Sequence, residues 1–178
     1  MSGGSRPRGA PRLTHLDAAG RARMVDVGAK PVTAREAAAE GSIRMSPQAF
    51  RQVRAGRTIK GDAVGLARFA GIAAAKNTAA LIPLCHAIPL DHVDVAVEFE
   101  GDGRTVTVRA RTGAHWRTGV EMEALVAVSA ALLTLYDMAK AIDRGMRIGP
   151  LYLSRKSGGR SGTYVRHRRG RRGSPRSG

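Results

Sequence analysis

Val93-Asp94-Val95-Ala96-Val97-Glu98-Phe99-Glu100-Gly101-Asp102-Gly103-Arg104-Thr105-Val106-Thr107-Val108 reads as a β-hairpin. Val93, Val95, Val97 and Phe99 take every second position of the first arm, which puts them on one face of a strand. Gly101-Asp102-Gly103 turns the chain, and Val106 and Val108 resume the alternation. A hairpin with one apolar face needs a second layer to cover it. That layer follows in the sequence. From Thr118 to about Asp143 there is no proline and no glycine after Gly119, and Leu125, Val128, Leu132, Leu135 and Met138 recur at helical spacing. A long, mostly buried helix is predicted there.

Upstream of the hairpin, Asp62 can cap a helix running through Ala80 and ending before Pro83. Ser46-Pro47 starts a shorter helix that Gly56 stops. The segment from Val32 to Met45 fits a helix by its alanines and glutamates and a strand by Val32, Ile43 and its small residues. Met24-Val25-Asp26-Val27 alternates as a strand does. Downstream, Gly145 closes the long helix and Met146 to Leu153 returns as a strand. Strand, helices, strand, strand, helix, strand is the split βαβ order. The predicted class is α+β, a ferredoxin-like antiparallel sheet with helices packed on one face.

A chain of 178 residues with 43% hydrophobic content supports one domain with a real core. The net charge of +16 is unevenly spread. Residues 1–12 hold three arginines and 163–178 hold six, with no acid in either segment; both are expected to be disordered basic tails. The domain proper, 13–162, keeps 21 basic and 14 acidic residues, a net +7 that suits a protein handling anions. Aromatics make up 4% of the chain, too few for a platform that stacks bases, so a nucleic-acid partner is not expected. Cys85 is the only cysteine, which excludes an intrachain disulfide. No apolar run approaches a membrane span and no apolar segment follows the basic N-terminus, so a cytoplasmic location without membrane attachment is expected.

Among 30 basic residues only Lys30, Lys60, Lys76, Lys140 and Lys156 are lysine. An ammonium can lose its proton where a guanidinium cannot, so these positions invite attention, although chance retention on the surface reads equally well for Lys60, Lys140 and Lys156 and better for Lys76. Asp137 and Lys140 are three apart on the long helix and can meet. By spacing alone that is an ordinary surface pair; the apolar residues around it favour a tuned acid and base. Glu121, Met122 and Glu123 open the same helix, where acids also suit the helix dipole. Glu123 and Asp137 share a face but lie about 21 Å apart at 1.5 Å per residue. One small substrate cannot touch both in one subunit, so a pocket using both ends needs a neighbouring chain.

Leu84-Cys85-His86 falls in a loop, where a histidine has a fair chance of function. Adjacent Cys85 and His86 do not make a metal site, and no metal is expected. The segment from Lys156 to Gly162 has small residues whose N–H groups can converge on a phosphate, with Lys156 and Arg160 adding charge. A flexible linker reads nearly as well. It lacks Walker A spacing, and no GxGxxG follows a strand.

Together these segments resemble the cyclic pyranopterin monophosphate synthase family, also called molybdenum cofactor biosynthesis protein C. The likeness runs from about Leu13 to Gly162, through Arg23-Met24-Val25-Asp26-Val27, Lys60-Gly61-Asp62, Ile82-Pro83-Leu84-Cys85-His86, Thr118-Gly119-Val120-Glu121-Met122-Glu123, Tyr136-Asp137-Met138, Asp143-Arg144-Gly145 and Lys156-Ser157-Gly158-Gly159. The resemblance implies a lyase that converts 3′,8-cyclo-7,8-dihydro-GTP, made by a separate radical enzyme, into cyclic pyranopterin monophosphate with loss of pyrophosphate. It implies a homohexamer built as a trimer of dimers with active sites between subunits, transient contact with the upstream enzyme, and no cofactor beyond magnesium that the substrate triphosphate could carry. It puts catalysis on Asp137, Lys140 and Lys60, and substrate contacts on Leu84, Cys85, His86, Glu121, Met122, Glu123, Lys156 and Arg35. Departures are Arg160 where a second lysine is usual, Thr163-Tyr164 for an acidic-aromatic ending, and Ala87-Ile88 before Pro89.

Overall fold

The computed structural model describes residues 20–167. The hairpin forms as predicted. Strand β2 (His92–Phe99) pairs antiparallel with β3 (Thr105–Trp116), joined by a turn that Asp102 ties by accepting from the backbone N–H groups of Arg104 and Thr105. The segment that fitted either state is strand β1 (Thr33–Arg44). Its alanines taken alone favour a helix, but β3 and β4 (Arg147–Ser157) flank it, and a ladder on both sides overrides that preference. The sheet order is β2-β3-β1-β4-β5, with every neighbouring pair antiparallel. Its first four positions are the split βαβ arrangement twice over.

Helices α1 (Pro47–Arg54), α2 (Ala63–Lys76), α3 (Thr78–Leu81) and α4 (Glu121–Ala139) complete the fold. Ser46 caps α1 through its hydroxyl, and Asp62 caps α2 by accepting from Val64 and Gly65 N–H, both at 3.0 Å. Helix α4 lies across β1, β3 and β4 and against α2, with Ala124, Val128, Ala131, Leu132 and Leu135 fully buried. Small residues set the spacing. A Cβ on Gly41 of β1 would come within 2.9 Å of Leu132 Cδ1 and Val128 Cγ1, and one on Gly71 of α2 within 2.9 Å of the Ala127 carbonyl. Phe50 closes one end of the core edge-on against Phe99, ring centres 5.3 Å apart.

Several expectations are corrected. Met24 to Val27 is not a strand: it runs as irregular chain outside the sheet. The helix expected from Asp62 to Ala80 breaks at Asn77, whose side chain turns back to the Ala73 carbonyl. Helix α4 begins at Glu121 with Val120 before it, not with a threonine cap at Thr118. Chain assigned to the basic tail instead adds a strand, β5 (Tyr164–Val165), pairing with Arg155 and Lys156; the remaining tail residues, 1–12 and 168–178, lie outside the described residues. Helix α4 has the length and hydropathy of a membrane-crossing helix, which the apolar-run reading had not anticipated, but more than half of it is buried inside the protein and it serves as the central core helix.

One irregularity positions a functional side chain. Between Ala39 and Ala38 the β1–β4 register slips, so that Leu153 faces Ala39 while Arg155 faces Ala38 and Lys156 faces Ala37. Ser154 is the extra residue of a bulge, its hydroxyl donating to the Ala38 carbonyl at 3.0 Å.

Candidate active site

The functional side chains gather at the two ends of α4. At its start, a cavity of about 300 Å³ lies between the first turn and the loop after α3, and Leu84, Cys85, His86, Glu121, Met122 and Glu123 all line it. Glu123 is 3% exposed, and burial pushes its carboxyl up to about 7, with repulsion from Glu121 adding to the rise. It therefore exchanges its proton near neutral pH, where an ordinary glutamate is fully ionised. Burial also raises the Cys85 thiol, with the Glu123 charge adding to it. His86 Nε2 lies 2.8 Å from the Val25 carbonyl oxygen. A carbonyl only accepts, so Nε2 carries the hydrogen, and a neutral His86 keeps its lone pair on Nδ1.

The glycine-serine loop reaches the same end. Lys156 is 3.9 Å from Glu121 and donates to the Ser161 hydroxyl. Beneath the loop, Arg35 donates to the carbonyls of Trp116 at 3.3 Å and Arg117 at 3.4 Å. A Cβ on Gly159 would overlap the Arg35 guanidinium, and its φ of +70° favours glycine as well. The loop thus rests on Arg35, and two fixed cations accompany its backbone donors.

At the far end of α4, Asp137 receives Lys60 Nζ on Oδ2 at 2.5 Å and Lys140 Nζ on Oδ1 at 2.6 Å. These bonds, Lys140's first, pull the carboxyl down to about 2. Lys60 is projected by a tight turn in which Thr58 and Gly61 exchange hydrogen bonds. A cavity of about 210 Å³ adjoins the cluster.

The predicted residues thus form two sets in one chain. Leu84, Cys85, His86, Glu121, Met122, Glu123, Lys156 and Arg35 belong to the start of α4, and Lys60, Asp137 and Lys140 to its end. Fourteen residues of helix keep the sets about 21 Å apart. Two further cations line the cavities without a role assigned from sequence: Lys30 in the first and Arg144 in the second. Lys30 carried a signal as one of the five lysines; Arg144 stood only within the family-like segment Asp143-Arg144-Gly145, with no role attached. Among the described residues no group of three or more His, Cys, Asp or Glu side chains is arranged to hold a metal.

The fold and these clusters define a ferredoxin-like domain with a polar site at either end of its central helix. The MoaC family model matches residues 24–159, and the chain belongs to that family. It is similar to proteins named cyclic pyranopterin monophosphate synthase. The one from Roseiflexus sp. (strain RS-1) is 56% identical over 153 residues, covering 86% of this chain and 97% of that protein. The one from Thermomicrobium roseum is 54% identical over 154 residues, 86% and 93%. The one from Novosphingobium aromaticivorans is 57% identical over 153 residues, 85% and 96%.

Proposed function

We infer that this chain is a lyase of molybdenum cofactor biosynthesis, converting 3′,8-cyclo-7,8-dihydro-GTP into cyclic pyranopterin monophosphate with release of pyrophosphate. The structural observation that carries the reading is Asp137 held between Lys60 and Lys140, on a chain that is 56% identical over 153 residues to a protein of that name.

The reaction needs protons moved onto and off ring nitrogen and oxygen, and it needs negative charge stabilised as pyrophosphate departs. Glu123, which titrates near neutral pH in a cavity walled partly by Val25, Leu84 and Met122, suits proton donation to the heterocycle. His86 offers an acceptor on Nδ1 nearby. Asp137, held near 2, is a weak base while both lysines sit on it. In the free chain it orients two ammonium groups; substrate phosphate drawing a lysine away would restore its basicity. Lys60 and Lys156 serve the phosphates, and Lys140 with Asp137 serves proton transfer.

The two ends are too far apart for one substrate, so the working site combines the start of α4 from one subunit with its end from another. A homohexamer assembled as a trimer of dimers meets that need. A cytoplasmic setting, transient contact with the upstream radical enzyme, and magnesium carried only on the substrate triphosphate accompany this reading.

The test is to incubate the purified chain alone with the cyclised dihydro-GTP and measure both products. Equal amounts of cyclic pyranopterin monophosphate and pyrophosphate are expected; a folded oligomer yielding neither would overturn the assignment. Mixing Glu123→Gln and Asp137→Asn chains tests the shared site. Reassortment should restore about a quarter of the sites, since each mixed dimer regains one intact pair. No recovery on mixing would place each site within one subunit.

A further inference from the structure

Arg144 follows the last turn of α4 and lines the cavity beside Lys60, Asp137 and Lys140. Its backbone is fixed from three sides. The Tyr136 hydroxyl donates to the Arg144 carbonyl at 3.1 Å. The neighbouring Asp143 carboxylate accepts from Gly145 N–H at 2.8 Å and from Ser46 N–H at 2.7 Å, tying the turn to the start of α1. The side chain, by contrast, is exposed, and among the described residues it takes part in no ion pair.

The charges of this cavity do not balance. Three cations, Lys60, Lys140 and Arg144, face one carboxylate, leaving +2, and each oxygen of that carboxylate already holds a lysine. One unit of that excess is shared by the two lysines on Asp137, and the other belongs to Arg144, which no carboxylate of the cavity holds. A guanidinium presents paired N–H donors in a plane that matches two oxygens of one phosphate, and a pinned backbone lowers the ordering cost of using it.

We propose that Arg144 binds a phosphate group of the substrate nucleotide, as the cation at this end of α4 that is free to do so without releasing Asp137. The proposal rests on the synthase reading and gives its phosphates a specific contact. Arg144 takes no part in proton transfer. It meets the oligophosphate first, before Lys60 is drawn from Asp137 to a phosphate of its own, and it stays on the pyrophosphate as that group leaves.

The test compares Arg144→Ala and Arg144→Lys with the unaltered chain. With the cyclised dihydro-GTP, Arg144→Ala should raise KM about tenfold, with kcat within about twofold, and lysine should recover part of the loss, because charge-assisted bonds contribute on that scale. Inhibition by inorganic pyrophosphate should weaken in parallel. Calorimetric titration of tripolyphosphate into each protein gives a second readout that needs no turnover: Arg144→Ala should bind about tenfold more weakly. If the unaltered chain turns nothing over, the synthase reading fails while this titration still decides the role of Arg144. Equal tripolyphosphate affinity in the folded alanine variant would overturn the proposal. So would a fall in kcat alone, shared by the alanine and lysine variants.

Discussion

The two ends of α4 present the same functional group in opposite conditions. Glu123, in the first turn, is closed off from water and keeps its proton up to about pH 7. Asp137, in the last turn, is half exposed and surrendered its proton far below neutrality because two ammonium groups hold the carboxylate. One carboxyl is governed by desolvation and the other by charge. The difference teaches that two acids on one helix are set as donor and anion by what surrounds them: burial beside a second acid at one end, and two ammonium groups at the other.

The sharpest way to break the comparison is Asp137→Asn. It leaves the shape intact but removes the charge that aligns Lys60 and Lys140, and turnover should fall by roughly 10²- to 10⁴-fold. Product formation by a variant whose sedimentation matches the parent's checks this; full activity would show that the clamp is ornamental. Glu123→Gln addresses the opposite end. The folded value of about 7 lies above the ordinary 4.5, so the stability this group lends is complete below pH 4.5 and is lost as pH rises through 7. Urea midpoints between pH 4.5 and 8 should show the parent losing on the order of 3 kcal/mol that the glutamine variant does not lose. Parallel profiles would mean that Glu123 is ionised when buried.

The helix between the two ends is tested by Gly71→Ala. A methyl there meets the Ala127 carbonyl and should cost about 2 kcal/mol, read as a lower urea midpoint, by forcing α2 from α4. The smallest effect is expected on the opposite sheet face, where Arg109 bridges Glu40 and Glu98. Arg109→Met should change thermal stability by about 1 kcal/mol or less, because partly exposed ion pairs contribute little.

Much of the fold was legible because period and partner agree. Val93 to Phe99 alternate and their helix-side neighbours are buried; Leu132 and Leu135 recur at helical spacing and are buried too. The failures have one physical origin, structure imposed from elsewhere in the chain. Ala37 to Ala39 become strand through two neighbours distant in sequence, and Val25 to Val27 alternate but lie outside the sheet, where the Val25 carbonyl meets His86. The site follows the same division. The Asp137–Lys140 pair was visible as a three-residue spacing, whereas the arrival of Lys60 from 77 residues away was not. The family resemblance supplied Lys60, and the fold supplies the reason it can reach.

The bulge at Ser154 also changes what a one-residue alteration of β4 would do. Leu153 and Lys156 are an odd number of residues apart, so simple alternation assigns them opposite faces, yet both partners, Ala39 and Ala37, are buried toward the helices. The bulge resets the phase. Deleting Ser154 would leave Arg155 opposite Ala38 and Lys156 opposite Ala37, preserving the parity of the strand's end, whereas forcing Ser154 into regular pairing would turn Lys156 to the open face, away from Glu121. The lysine's aim is thus written in a counting irregularity, and a shorter β4 can be functionally closer to this one than a straighter β4 of equal length.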